Sequence, residues 1–134
     1  MGWMDRVTQF LPVETILPAA GQGVLALETR DGDGATREAL AFLNDPVTWA
    51  EAGAERAFLK RLGGGCQVPV AAFAKREGGE IVIRGLISNL NGRLVVRDEV
   101  REPFDQYEAA GTKLAESLLS RGGRAILEMV YRQC

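Results

Sequence analysis

Histidine is absent from the sequence, and cysteine occurs only twice, at Cys66 and Cys134. The first absence excludes histidine acid–base chemistry, Ser/His and Cys/His nucleophile pairs and most zinc sites. The two cysteines lie too far apart for metal-ligand spacing and give no disulfide framework. In a reducing compartment both are free thiols. Basic residues are not in excess: 16 Lys+Arg stand against 18 Asp+Glu, so nothing in the balance points to nucleic acid. No apolar run reaches bilayer length, and no basic amphipathic helix suggests a membrane surface. Met1–Arg6 lacks the charged-then-apolar pattern of a signal peptide. Together these absences predict a cytoplasmic chain with no metal, no nucleic-acid partner and no membrane attachment. Aromatics are sparse, but the apolar fraction of 46% is ordinary, so 134 residues can bury a real core. There is no internal repeat and no low-complexity segment.

What is present divides near residue 46. Upstream, Leu11-Pro12 and Leu17-Pro18 are breakers. Val24–Arg30 reads as a buried strand, Asp31–Gly34 as a turn, and Ala35–Leu43 as a short helix. One strand and one helix cannot make a core. A strand apolar on both faces needs a partner sheet, so this stretch reads as part of a larger α/β structure. Downstream, Asp45-Pro46 predicts an N-cap and first helical residue. A helix over about Val47–Leu62 follows, with Ala50, Ala54, Ala57, Phe58 and Leu62 near one face. Gly63-Gly64-Gly65 ends it. Strands are expected over Val68–Lys75, Glu80–Ser88 and Arg93–Val100, joined by Gly78-Gly79 and by Asn91-Gly92, a type I′ hairpin signal. In the second strand Ile81, Ile83 and Ile87 point one way and Arg84 and Ser88 the other. Helices over Phe104–Ser120 and Arg124–Arg132 are separated by Gly122-Gly123. Tyr107, Ala110, Leu114, Leu118 and Leu119 mark the first, and Ile126, Met129 and Val130 the second. The order α-β-β-β-α-α gives an α+β unit: a three-stranded antiparallel meander covered on one face by helices.

Cys66 is the one strong nucleophile in a suggestive place. It follows three glycines, between a helix end and a strand start, where a ligand can approach the backbone. Lys60 and Arg61, one turn earlier, could favour the thiolate and attract carboxylates. The plainer reading is that Cys66 is a small buried hydrophobe, the glycines a turn, and the two cations a solvated helix end. Composition and spacing leave both open. Glu51 and Glu55, four apart, read as an exposed helix face, Asp31 and Asp33 as turn residues. Cys134 has no assigned role.

Leu17-Pro18-Ala19-Ala20-Gly21-Gln22-Gly23 resembles the Leu-Pro-Ala-x-Gly-Gln-Gly segment of porphobilinogen deaminases. Glu55-Arg56-Ala57-Phe58-Leu59 with Gly64-Gly65-Cys66-Gln67-Val68-Pro69-Val70 resembles that family's cofactor-cysteine motif. The separation of the two motifs fits, and the likeness covers nearly the whole chain. It implies a three-domain transferase of tetrapyrrole (haem) biosynthesis, also called hydroxymethylbilane synthase. That enzyme joins four porphobilinogen molecules head to tail, with loss of ammonia, into hydroxymethylbilane. The product grows on a dipyrromethane cofactor held by a thioether to the cysteine matched by Cys66. Such a bond suits the residue: losing ammonia leaves porphobilinogen with an electrophilic methylene that a soft thiolate captures. Gly65 and Gln67 beside the anchor, and Gln22 and Gly23 in the cleft, are the other cofactor-binding residues the likeness implies.

The likeness also implies an organisation. Residues 1–16 would be the tail of the second domain. Residues 17–46 would be a hinge strand and return segment of the first, and residues 47–134 the third, cofactor-anchoring domain. The catalytic aspartate and most substrate-binding cations would lie upstream, so no catalytic residue is assigned here. This stretch alone is expected to be inactive, and the isolated chain to need the missing N-terminal domains as its partner for holding cofactor and porphobilinogen. A reading of another class is an independent binding or assembly module with an inert Cys66. Self-association would then cover the orphan strand.

Overall fold

Asp45 and Pro46 start the structure's main helix as their chemistry requires. In the computed structural model, which describes residues 2–63 and 69–132, helix α2 spans Pro46–Arg61, after α1 (Gly34–Leu40). The Asp45 carboxylate accepts from the Thr48 N–H at 2.6 Å, satisfying one of the donors that every helix N-terminus leaves over. Gly63, at φ +93°, stands just past the end of α2 in the left-handed conformation that helix stops favour.

Strands β1 (Val70–Glu77), β2 (Glu80–Ser88) and β3 (Val95–Pro103) form an antiparallel meander in the order β1-β2-β3. The register pairs Ala74 with Ile83 and Ile83 with Val100. Period-2 alternation therefore sends Ala72, Ala74, Ile81, Ile83, Ile87, Val96 and Val100 to one face. There they meet Ala54 and Phe58 of α2, Ala110, Leu114 and Leu118 of α3 (Tyr107–Leu118), and Ile126 and Leu127 of α4 (Arg124–Tyr131). Phe58, Ile81, Ile83, Ile87, Leu114 and Leu118 are fully buried, and each contributes about 1.5–3 kcal/mol of transfer free energy. Alanine and glycine fill the α2–α3 contact, so the two helices approach closely. A Cβ on Gly111 would stand 2.0 Å from the carbonyl oxygen of Ala54. The expected α+β unit, a meander with helices on one face, is the observed one.

Several details differ from expectation. Val24–Arg30 forms no strand. Its backbone hydrogen bonds are turn bonds at its two ends, the Val24 N–H to the Gly21 carbonyl and the Asp33 N–H to the Arg30 carbonyl, and Leu25 is 93% exposed. A strand exists only through its neighbour, and the described residues offer none there. The β2–β3 connection is a loop over residues 89–94, not a two-residue type I′ turn. Only Gly92 has positive φ, and the Asn89 and Asn91 side chains accept from the Leu94 and Arg93 N–H groups. In α4 it is Leu127, not Met129, that joins Ile126 and Val130 in the core. Ala52 of α2 is likewise buried. Among the described residues, no helix is long and apolar enough to cross a membrane.

Candidate functional site

The segment Leu17–Val24 owes its shape to two glycines. The Gln22 N–H donates to the Ala19 carbonyl and the Val24 N–H to the Gly21 carbonyl, closing two successive four-residue turns. Gly21 (φ +75°) and Gly23 (φ +85°) fill the third position of each, the pattern of type II turns. No atom lies within 4 Å of a Cβ added to either, so backbone conformation, not space, calls for glycine. The Gln22 side chain folds back, its Oε1 accepting from the Ala19 N–H at 3.1 Å. Gln22 and Gly23 are exposed at the rim of an open groove of about 1620 Å3 between this segment and α2. Arg56, Lys60 and Arg61 of α2 line the same groove. Arg61 is bound to Glu116 at 3.2 Å, whereas Arg56 and Lys60 make no ion pair among the described residues.

Glu55 is the residue that sequence reasoning misplaced. Far from lying on an exposed face, it is 6% exposed and points between the double turn and the sheet. Its Oε2 accepts from the Gly21 N–H at 2.5 Å and its Oε1 from the Ala74 N–H at 2.8 Å. Glu51, one turn earlier, accepts from the Arg76 N–H at 2.8 Å. The spacing has a geometric cause. Four residues of helix rise about 6 Å and two residues of strand about 6.6 Å, so carboxylates at i and i+4 match alternate N–H groups on the free edge of β1. Edge N–H groups left open invite foreign strands, and here helix side chains occupy two of them. Burial pushes the Glu55 pKa above its ordinary 4.5. The Gly21 and Ala74 N–H groups pull against that rise, and the charge of Glu51 adds to it. A signal was available in the sequence: on the α2 wheel Glu55 falls beside Phe58, at the margin of the apolar stripe and not opposite it.

Cys66, Gly65 and Gln67 lie outside the described residues. In sequence they fall between Gly63, two residues past the end of α2, and Pro69, one residue before β1.

Comparison with known proteins gives the site its context. Residues 49–120 match the family model described as porphobilinogen deaminase, C-terminal domain. Residues 1–38, which include the double turn, match the model described as porphobilinogen deaminase, dipyromethane cofactor binding domain. The chain is 54% identical over 128 residues to a porphobilinogen deaminase of Syntrophus aciditrophicus, covering 96% of this chain and 42% of that protein. It is 51% identical over 133 residues to one of Pelobacter propionicus, covering 99% and 43%. The chain thus spans less than half the length of the curated relatives it matches. A meander packed as described, a Gly-Gln-Gly double turn set against it, and family matches on both sides of residue 46 lead to one assignment: the chain belongs to the porphobilinogen deaminase family.

Proposed function

We propose that this chain is the C-terminal part of a cytoplasmic porphobilinogen deaminase, with Cys66 as the thioether anchor of its dipyrromethane cofactor. The observation that carries this reading is the groove. Its rim holds Gln22 and Gly23, its wall holds Arg56 and Lys60, and its α2 wall leads to the Gly63–Pro69 connection that contains Cys66. A dipyrromethane bearing acetate and propionate groups fits such a lining, because cations pair with its carboxylates while exposed backbone gives room for its rings. When bound, the cofactor supplies the covalent primer on which pyrrole units are added. This chain's residues hold and orient it: Cys66 as covalent tether, its sequence neighbours Gly65 and Gln67 with it, and Gln22 and Gly23 at the rim of the groove.

In this reading residues 47–134 form the third domain, residues 17–46 the hinge and return segment of the first, and residues 1–16 the tail of the second. The exposed apolar side chains upstream, Phe10, Leu25, Leu27 and Phe42 among them, are covered by the N-terminal remainder of the enzyme. That remainder also supplies the catalytic groups, so the chain alone makes no hydroxymethylbilane from porphobilinogen.

Intact mass and peptide mapping test the anchor. The chain is co-expressed with the N-terminal part of a relative, in the presence of porphobilinogen, beside a Cys66→Ser control. A two-pyrrole adduct on Cys66, absent from the control, is the expected result. An unmodified Cys66 in an assembled complex would refute the anchor.

A further inference from the structure

Among the described residues, the double turn at residues 19–23 is tied to the rest of the molecule at one polar point. Its hydrogen bonds are otherwise internal: Gln22 N–H to Ala19, Val24 N–H to Gly21, and Ala19 N–H to the Gln22 side chain. Among the described residues, the one that leaves it is the Gly21 N–H donated to Glu55. Ala20, the adjoining residue, packs against the core cluster.

Packing alone does not call for a carboxylate here. A buried charge is costly unless its oxygens are satisfied, and an apolar side chain would fill the same volume without that cost. Glu55 is nevertheless a two-acceptor group with both acceptors in use, one on β1 and one on the turn. No other side chain of similar size does this. Glutamine would keep one acceptor and turn an NH2 donor toward the second N–H.

We infer that Glu55 is the positioning residue that seats the Ala19–Gly23 double turn on the α2–β1 edge, and so fixes where Gln22 and Gly23 stand over the groove. The bridge is short and directional. One oxygen is referenced to β1, which is locked in the sheet, and the other to Gly21, one residue before Gln22. The turn's position is therefore set by the sheet through a single rigid carboxylate. The consequence for cofactor orientation rests on the function proposed above; the seating does not.

The test is amide NMR on the full chain, first as wild type. With one carboxylate holding both donors, the Gly21 and Ala74 amide protons shift together on pH titration with a common midpoint. In Glu55→Gln both responses vanish. Exchange at Gly21 then quickens about tenfold, while Ile83 and Ile87 in the core keep their protection. Failure of Gly21 to titrate with Ala74 in the wild type would overturn the inference, even if the variant does not fold. Unchanged Gly21 exchange in Glu55→Gln would overturn it too, as would equal acceleration at Gly21 and Ile83, the mark of a merely structural role. An unmodified Cys66 in the mass experiment would remove the proposed function and leave these outcomes untouched.

Discussion

Residues 2–45 and 46–132 are comparably rich in apolar side chains but spend them differently. In the second region Phe58, Ile83 and Leu114 are fully buried among helices and sheet. In the first, no described residue is buried, and Phe42 is 81% exposed. The difference is one of partners, not of composition. An amphipathic element is stable only where a second layer meets its apolar face. Among the described residues, the second region contains three strands and three α-helices that cover one another, and the first contributes one short α-helix, some single turns and an extended stretch with no neighbouring strand.

Paired substitutions probe that contrast. Phe58→Ala should cost about 4 kcal/mol in denaturant unfolding, whereas Phe42→Ala, made on the exposed counterpart, should stay within about 0.5 kcal/mol. Equal costs would mean that the first region has a core of its own. Gly111→Ala should cost about 3 kcal/mol, because the new Cβ meets the Ala54 backbone, which cannot rotate away. Gly21→Ala strains one left-handed turn position by about 1 kcal/mol. That cost should appear as faster local exchange, without moving the main transition. Capping offers a gentler pair. Asp45→Ala should lower the melting temperature by a few degrees, and Asp33→Ala, which uncaps α1 by losing the Thr36 N–H bond, should leave it unchanged.

The smallest effect is a difference in pH slope between two carboxylates of the α2 region. The Thr48 backbone N–H holds the Asp45 pKa below its ordinary 3.8. Its contribution is therefore present above that value and is lost as pH falls through the lowered one. Glu55 has the opposite sign. Its folded pKa is raised above 4.5, so its contribution is full below 4.5 and is lost as pH rises through the elevated value. Stability measured by denaturant from pH 3 to 8 should lose its decline above 4.5 in Glu55→Gln and its decline at the acid end in Asp45→Asn. A Glu55→Gln curve parallel to wild type would show that this carboxyl is not raised.

Much of the second region was legible in the sequence because local signals agreed with the global fold. Asp45-Pro46 marks where α2 begins, Glu80 and Ser88 bound β2 as read, and the isoleucines of β2 face the helices. Legibility failed where the deciding partner is distant in sequence or, in the proposed reading, supplied by the rest of the enzyme. Val24–Arg30 has the composition of a strand, yet composition cannot provide a neighbour. Glu51 and Glu55 have the spacing of a solvated face. Only the placement of α2 along the free edge of β1, 19 residues on for Ala74, reveals them as acceptors for strand N–H groups. The double turn at Gly21 and Gly23 carries its glycines for backbone reasons that a family likeness flags but does not explain. Cys66, the centre of the chemical reading, rests on that likeness and on its place between α2 and β1.

The contrast between the two regions is tested most directly by hydrogen exchange across the whole chain, alone and after addition of the complementary N-terminal part of a relative. Alone, slow exchange should be confined to residues 46–131 and the hydrogen-bonded amides of the double turn, with 25–30 exchanging as freely as unfolded peptide. On addition, 25–30 should gain protection as the extended stretch acquires a sheet neighbour. Strong protection of 25–30 in the isolated chain would contradict the account, because the first region would then already possess the partner whose absence explains its structure here.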